Sequence, residues 1–300
     1  MSSLDQNRKT DGCRAILVPR GLWKILVILG VLASSALSAL AQPGNWQILQ
    51  FPAAGADRTW CYGVNPRGDM VGVYRLSGTK GFLFSQGTYY GPLPALAHGI
   101  NSRGDIVGNY GSDGFLLHDG VLTTLKYPGV AMTHPWDINP RGEIVGSYMT
   151  TTSSPQQGFL RSKDGTFTEI RYPGAAATVL YGISPQGDIA GEYWDGANKG
   201  HGFLRRPDGV FTPLDFPGAT ETSAFKVNAR GDIIGYYWDS SSPKVSHGFL
   251  WRDGLFTTLD YPGATHTMIH GFNSEGEMCG MVSFTPLGST PEWGGFALTW

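Results

Sequence analysis

The sequence predicts an all-β fold: a six-bladed β-propeller of four-stranded blades, its ring closed by the N-terminal strand. Three observations lead there. One turn motif recurs six times, a Gly-Phe-Leu segment follows each copy, and the two ends of the chain hold complementary fragments of one blade. The motif reads Tyr62-Gly-Val-Asn65-Pro-Arg-Gly68-Asp69-Met-Val-Gly72 and returns from His98, Trp136, Tyr181, Phe225 and His270. Its Asn-equivalent positions are 65, 101, 139, 184, 228 and 273, so the steps are 36, 38, 45, 44 and 45 residues. A period near 40 without helical patterning is that of a propeller blade.

Each element follows from local chemistry. Asn or Ser opens a turn that Gly closes three residues later, joining strand a to strand b as a type I turn with a glycine finish. Strand c is the Gly-Phe-Leu segment, from Gly81-Phe82-Leu83 to Gly248-Phe249-Leu250, varied at the end to Gly295-Phe296-Ala297. Asp-Gly pairs at 119–120, 164–165, 208–209 and 253–254 lead into strand d. Strand d alternates apolar and polar residues and ends in Pro-Gly, suited to a type II turn. The sixth unit has no strand d after its strand c, whereas Trp46 to Pro52 reads as a strand d without a blade. Residues 46–52 therefore complete the last blade, and closure removes the free sheet edges. Blade starts fall near 57, 94, 131, 176, 220 and 265, within a single domain over 42–300.

Residues 1–41 are a separate object. Arg8, Lys9, Arg14, Arg20 and Lys24 precede the apolar run Ile25–Leu32, and Ala39-Leu40-Ala41 gives a signal-peptidase pattern. The expectation is a cleaved signal peptide and a secreted or periplasmic protein, with an uncleaved membrane anchor as the alternative. Cleavage leaves Cys61 and Cys279 in apolar strand contexts, where a bridge is permitted but buried free thiols are the more common arrangement. The 43 glycines, 12% aromatics and 15% charged residues describe a chain that buries a large core. A net charge of −2 argues against nucleic acid or an anionic membrane as partner, since either would want a basic face.

The six motif copies and the Gly-Phe-Leu segments, His201-Gly-Phe203 and His247-Gly-Phe249 among them, resemble the HAF-repeat family of extracellular bacterial repeat proteins. The resemblance covers about residues 46–300. It implies export and a repeat β-fold, and no established reaction.

No nucleophile elbow, phosphate loop, zinc-protease motif or dinucleotide fingerprint is present, so no catalytic residue is assigned. The acids after the turn glycines (Asp69, Asp105, Glu143, Asp188, Asp232, Glu277) are spread one per blade, so they read as hairpin structure rather than a calcium site. Neither a metal nor a cofactor is expected. The ring-bearing residues that open the motif read as core, packed on the glycine face of a neighbouring blade. Asp137 and Lys226 break the glycine pattern beside them and are candidates to line the channel.

The b–c connections vary in length, and with the d–a crossovers they emerge on one face. Variable loops on a rigid scaffold carry binding. Trp194, Asp195, Trp238, Asp239, Trp60 and Trp293 are the candidate ligand contacts there, with Arg58, His134, Glu221 and His266 at the channel mouth. The favoured reading is an exported, monomeric, non-catalytic binding or scaffold module for a carbohydrate or protein ligand. Its alternative is a propeller enzyme, a lyase or hydrolase (metal-assisted if His134, Glu221 and His266 converge), with its site at the channel mouth.

Overall fold

The computed structural model describes residues 45–299 apart from 53–55, 57, 94, 287–288 and 290–291. The signal-peptide expectation on 1–41 lies outside the described residues. Strand β1 (Asn45–Leu49) comes first. Blade one is β2 (Arg58–Val64), β3 (Met70–Arg75), β4 (Thr79–Ser85) and β5 (Thr88–Leu93); blade two is β6 (Leu96–Ile100), β7 (Ile106–Tyr110), β8 (Asp113–His118) and β9 (Val121–Leu125). Blade three is β10 (Met132–Ile138), β11 (Ile144–Met149), β12 (Gln157–Arg161) and β13 (Phe167–Ile170). Blade four is β14 (Ala177–Ile183), β15 (Ile189–Trp194), β16 (Gly200–Arg205) and β17 (Phe211–Leu214). Blade five is β18 (Glu221–Val227), β19 (Ile233–Trp238), β20 (Ser246–Arg252) and β21 (Leu255–Thr258); blade six is β22 (His266–Phe272), β23 (Glu277–Ser283) and β24 (Trp293–Thr299).

The described residues form six four-stranded antiparallel sheets, the last in the order β1-β24-β23-β22. The chain is a six-bladed β-propeller, and its N-terminal strand closes the ring: Asn45 pairs with Thr299 and Leu49 with Gly295. In each blade the strand-c phenylalanine is the central plug; Phe82, Phe159, Phe203, Phe249 and Phe296 are fully buried. A glycine on strand b makes room for it. A Cβ at Gly146 would lie 2.2 Å from the His134 carbonyl oxygen and 2.8 Å from the Phe159 ring.

The turn motif proves to be an inter-blade joint. Asn65 Oδ1 accepts the N–H groups of Arg67 and Asp69. Its Nδ2 donates to the Asp69 carboxylate and to the Asn101 carbonyl of the next blade. Asn101, Asn139 and Asn273 make the same outward bond, at 3.1, 3.2 and 2.8 Å. The turn acids are held in place: Asp69 also takes Arg67 and Ser85, and Asp232 takes Arg230 and Arg252. Blade four has Ser184 at the Asn position, whose hydroxyl is used within its own turn. Ser184→Asn is expected to complete the joint to blade five and raise stability by about 1 kcal/mol, or Tm by ~2–4 °C. An unchanged or lower thermal midpoint would count against the joint.

The crossovers are stapled as regularly. A buried threonine near the start of strand a (Thr59, Thr133, Thr178, Thr222, Thr267) accepts the N–H of the aromatic residue before Pro-Gly (or, for Thr59, of Phe51). Four of those aromatics stack on a strand-b tyrosine, as Tyr172 on Tyr193 at 3.6 Å and Phe216 on Tyr237 at 3.7 Å, whereas Tyr261 meets Trp46 and Phe284 edge-on.

Cys61 and Cys279 form a disulfide between blade one and blade six, with Cα atoms 5.6 Å apart and 218 residues of chain between them. The free-thiol expectation gives way because closure of the ring makes these two blades neighbours. Replacing both cysteines with serine, or reducing the bridge, should cost about 2–4 kcal/mol. Calorimetry with and without reductant should then show a Tm lower by ~5–15 °C; coincident melts would contradict it.

Candidate functional site

The channel is built by the six strands a, and every one carries a β-bulge. The register shifts fall at Cys61/Gly63, Ala97/Gly99, Pro135/Asp137, Leu180/Gly182, Ala224/Lys226 and Ile269/Gly271. The extra residue in each case is the ring-bearing one, which the bulge re-aims toward the axis. Tyr62, His98, Trp136, Tyr181, Phe225 and His270 therefore meet one another in a closed belt, with centroid separations of 5.3, 4.6, 5.3, 4.1, 4.4 and 5.4 Å around the ring. This corrects the expectation that they pack on neighbouring glycine faces. Burial holds the belt uncharged: His98 falls to about 4, His270 to about 3, and Tyr62 rises to about 12.

Below the belt, at the a–b turn end, lies a funnel of about 110 Å³. Asp137 of blade three and Lys226 of blade five border it, paired at 2.7 Å. Lys226 Nζ also faces the carbonyls of Trp136 and Tyr181 at 3.4 Å, and Asp137 accepts the Ile183 N–H. Every ammonium hydrogen has an acceptor, so this pair ties the blades together rather than offering donors to a ligand.

Above the belt the chemistry is different. Glu192, on β15 and 5% exposed, receives the Ser223 hydroxyl at 2.8 Å and the Tyr181 hydroxyl at 3.5 Å, both on Oε2. Desolvation, assisted by the nearby charge of Glu221 and opposed by the Ser223 and Tyr181 hydrogen bonds, raises Glu192 to about 8. It is therefore a protonated acid at neutral pH. With two donors on Oε2, the proton belongs on Oε1. That oxygen faces β16, where a Cβ at Gly200 would lie 2.4 Å from it and 3.5 Å from Trp194 Nε1. Tyr236 joins the cluster from blade five, with its hydroxyl pKa raised by burial and by the Glu192 charge.

The mouth residues sit around this acid. Trp194 and Trp238 end β15 and β19, half-buried; Asp195 and Asp239 follow them and fold the b–c loops through their carboxylates. Trp238 contacts Tyr236 and His266, and His266 contacts Trp293. Glu221 pairs with Lys244 at 2.7 Å. His266 Nδ1 accepts the Ser246 N–H, which leaves its proton on Nε2, and desolvation lowers its pKa. Trp60 and His134 lie on β2 and β10 in blades one and three, and Arg58 opens β2 opposite Arg75. Among the described residues no three His, Cys, Asp or Glu side chains gather into a metal-holding group, so His134, Glu221 and His266 are not brought together.

Sequence reasoning missed Glu192, Tyr236 and Ser223. A signal existed: the residue after the strand-b glycine is Val73, Asn109, Ser147, Glu192, Tyr236 or Met281, and only one of the six is an acid.

No family model matches this chain, and no curated protein matches it in sequence. Solved structures share its fold. A gluconolactonase from Xanthomonas campestris is 13% identical, covers 87% of this chain and 99% of its own, and has a TM-score of 0.52. A TolB protein from Agrobacterium tumefaciens is 14% identical, covers 69% and 85%, and has a TM-score of 0.55. At these identities the likeness is one of fold. The expectation of a non-catalytic binding or scaffold module is corrected by this comparison: the gluconolactonase, matched over 99% of its own length, is an enzyme built on the same propeller.

Proposed function

We propose that the chain is an exported propeller enzyme, a hydrolase or lyase, with Glu192 as its proton donor at the crossover mouth of the channel. One observation carries the reading: a buried carboxyl, held protonated at neutral pH, with hydroxyl donors on one oxygen and a glycine opposite the other. A carboxylic acid poised near the working pH is what general acid catalysis needs. Glu192 gives its Oε1 proton to the leaving oxygen of the substrate. Ser223 and Tyr181 stabilise the carboxylate so formed. That carboxylate then takes a proton from the attacking water in a hydrolase, or from the carbon beside the leaving group in a lyase.

The neighbouring charges suit an uncharged, hydroxyl-rich substrate. Glu221 is tied to Lys244, His266 is kept neutral, and Trp238 and Trp293 offer faces on which a sugar ring stacks. Export is supported by the leader pattern of residues 1–41 and by a disulfide, which persists in oxidising compartments.

The test is a panel of lactones, aryl esters, glycosides and uronides. We expect turnover of an uncharged member, with activity falling as pH rises through about 8, where Glu192 loses its proton. Glu192→Gln should lower kcat by about 10²-fold or more while melting no lower than the wild type near neutral pH. Because the folded pKa is raised, wild-type stability declines between the unfolded value and about 8, and the Gln variant should lack that decline. Full activity in Glu192→Gln would sink the assignment.

A further inference from the structure

Blades four and five carry an identical three-residue cluster at the rim of the crossover face. His201 Nδ1 meets both oxygens of Asp215 at 3.0 Å, and its Nε2 meets Asp195 at 3.5 Å. His247 Nδ1 meets Asp260 at 2.7 Å, and its Nε2 faces Asp239 at 3.7 Å. Each imidazole lies nearly flat on a strand-b tyrosine, Tyr193 at 5.0 Å and Tyr237 at 5.1 Å.

The two carboxylates in each cluster belong to different parts of the blade. Asp215 and Asp260 follow strand d. Asp195 and Asp239 fold the b–c loops: Asp195 accepts the N–H groups of Ala197 and Lys199, and Asp239 those of Ser241 and Val245. The first loop runs from Trp194 to Gly200, where an added Cβ would lie 2.4 Å from Glu192 Oε1, and the second carries Lys244 to Glu221. Blade two fills the same positions with permanent charges in reverse: Asp113 stands at the His place and Lys126 at the strand-d place, 3.0 Å apart. Only blades four and five place a histidine there, with one aspartate at the strand-d place and another at the head of the b–c loop.

A neutral imidazole has one N–H and donates to one carboxylate; the imidazolium donates to both. We infer that His201 and His247 are paired positioning residues, proton-operated latches that clamp loops 195–199 and 239–245 beside the candidate acid when charged and release them when neutral. The shorter contacts are on the strand-d side, so the loop side is the one that lets go. The groups facing His247 are Asp239, Asp260, Tyr237 and, from blade six, His266; those facing His201 are Asp195, Asp215 and Tyr193, with Tyr172 stacked behind it. The hydrogen bond that His247 donates to Asp260 and the charges of both acids lift His247 above the ordinary imidazole value. The His247 clamp is therefore complete in mild acid and is lost as pH rises through that lifted value.

Hydrogen exchange in the two loops tests this on the whole chain, by a readout that does not pass through turnover and so is separate from the role of Glu192. After correction for intrinsic rates, the amides of 196–199 and 240–245 should exchange roughly tenfold more slowly at pH ~5.5 than at pH ~8.5, the factor that one unit of proton linkage gives. His201→Gln with His247→Gln should abolish the difference. His201→Lys with His247→Lys, keeping a cation between the carboxylates, should hold the loops protected at both pH values. Equal protection of the wild type at both pH values overturns the inference, as does a Gln pair that keeps the wild-type difference. If the Gln pair unfolds, the Lys pair decides alone: loss of protection at high pH as in the wild type refutes the latch.

Discussion

A chain lacking residues 42–53 is expected to melt about 10–20 °C below the complete domain. The segment makes two attachments. Strand β1 supplies the fourth strand of blade six, where Trp46 packs on Tyr261 at 5.3 Å and Phe296 at 5.1 Å. Phe51 then stacks on Tyr74 of blade one at 3.8 Å, and its N–H binds the buried Thr59. Burying Leu49, Phe51 and much of Trp46 is worth ~1.5–3 kcal/mol per side chain, or about 5 kcal/mol together. For a domain of this size each kcal/mol moves Tm by ~2–4 °C. The truncated chain also bares the edge of β24, so its melt should depend on concentration through edge-to-edge association. Adding the 42–53 peptide in trans should recover part of the loss. A truncated domain that melts with the full one would remove β1 from any part in closure.

Asp137→Ala is expected to cost about 3–5 kcal/mol, far more than its partner's removal together with it. Lys226 is 6% exposed and Asp137 8%, so loss of the carboxylate strands an ammonium in the interior with only two carbonyls for company. Asp137→Leu combined with Lys226→Met deletes both charges and should come within ~1–2 kcal/mol of the wild type. Urea melts of the two singles and the double give the cycle. If Asp137→Ala is as mild as the double variant, the pair is solvated and does not tie blade three to blade five.

The ring was legible in the sequence because its turns have few chemical solutions. Gly68, Gly104, Gly142, Gly187, Gly231 and Gly276 all have positive φ, between 75° and 96°, and Asn or Ser at the turn start accepts the same two N–H groups each time. Such a joint leaves a fixed spelling. The aromatic belt left none, since simple strand alternation places Tyr62 and its counterparts in a core and one bulged residue turns them to the axis. The disulfide was within reach: once β1 closes the ring, Cys61 and Cys279 lie in adjacent blades. Glu192 was harder to see, because its neighbours in the repeat are chemically unrelated and its partners Ser223 and Tyr181 come from two other strands.

The six rings at the waist of the propeller also govern traffic. Neighbouring rings touch around the circle, and His98, Phe225 and His270 are each no more than 9% exposed, so no bore of substrate size is left open across the disc. The axis is thus a pair of dead ends, and a molecule that reaches Glu192 must back out by the door it came in. Entry and exit share one rim, so whatever slows the loops beside Trp194 and Lys244 slows arrival and departure alike. The far end, walled off, can change its residues without altering that itinerary.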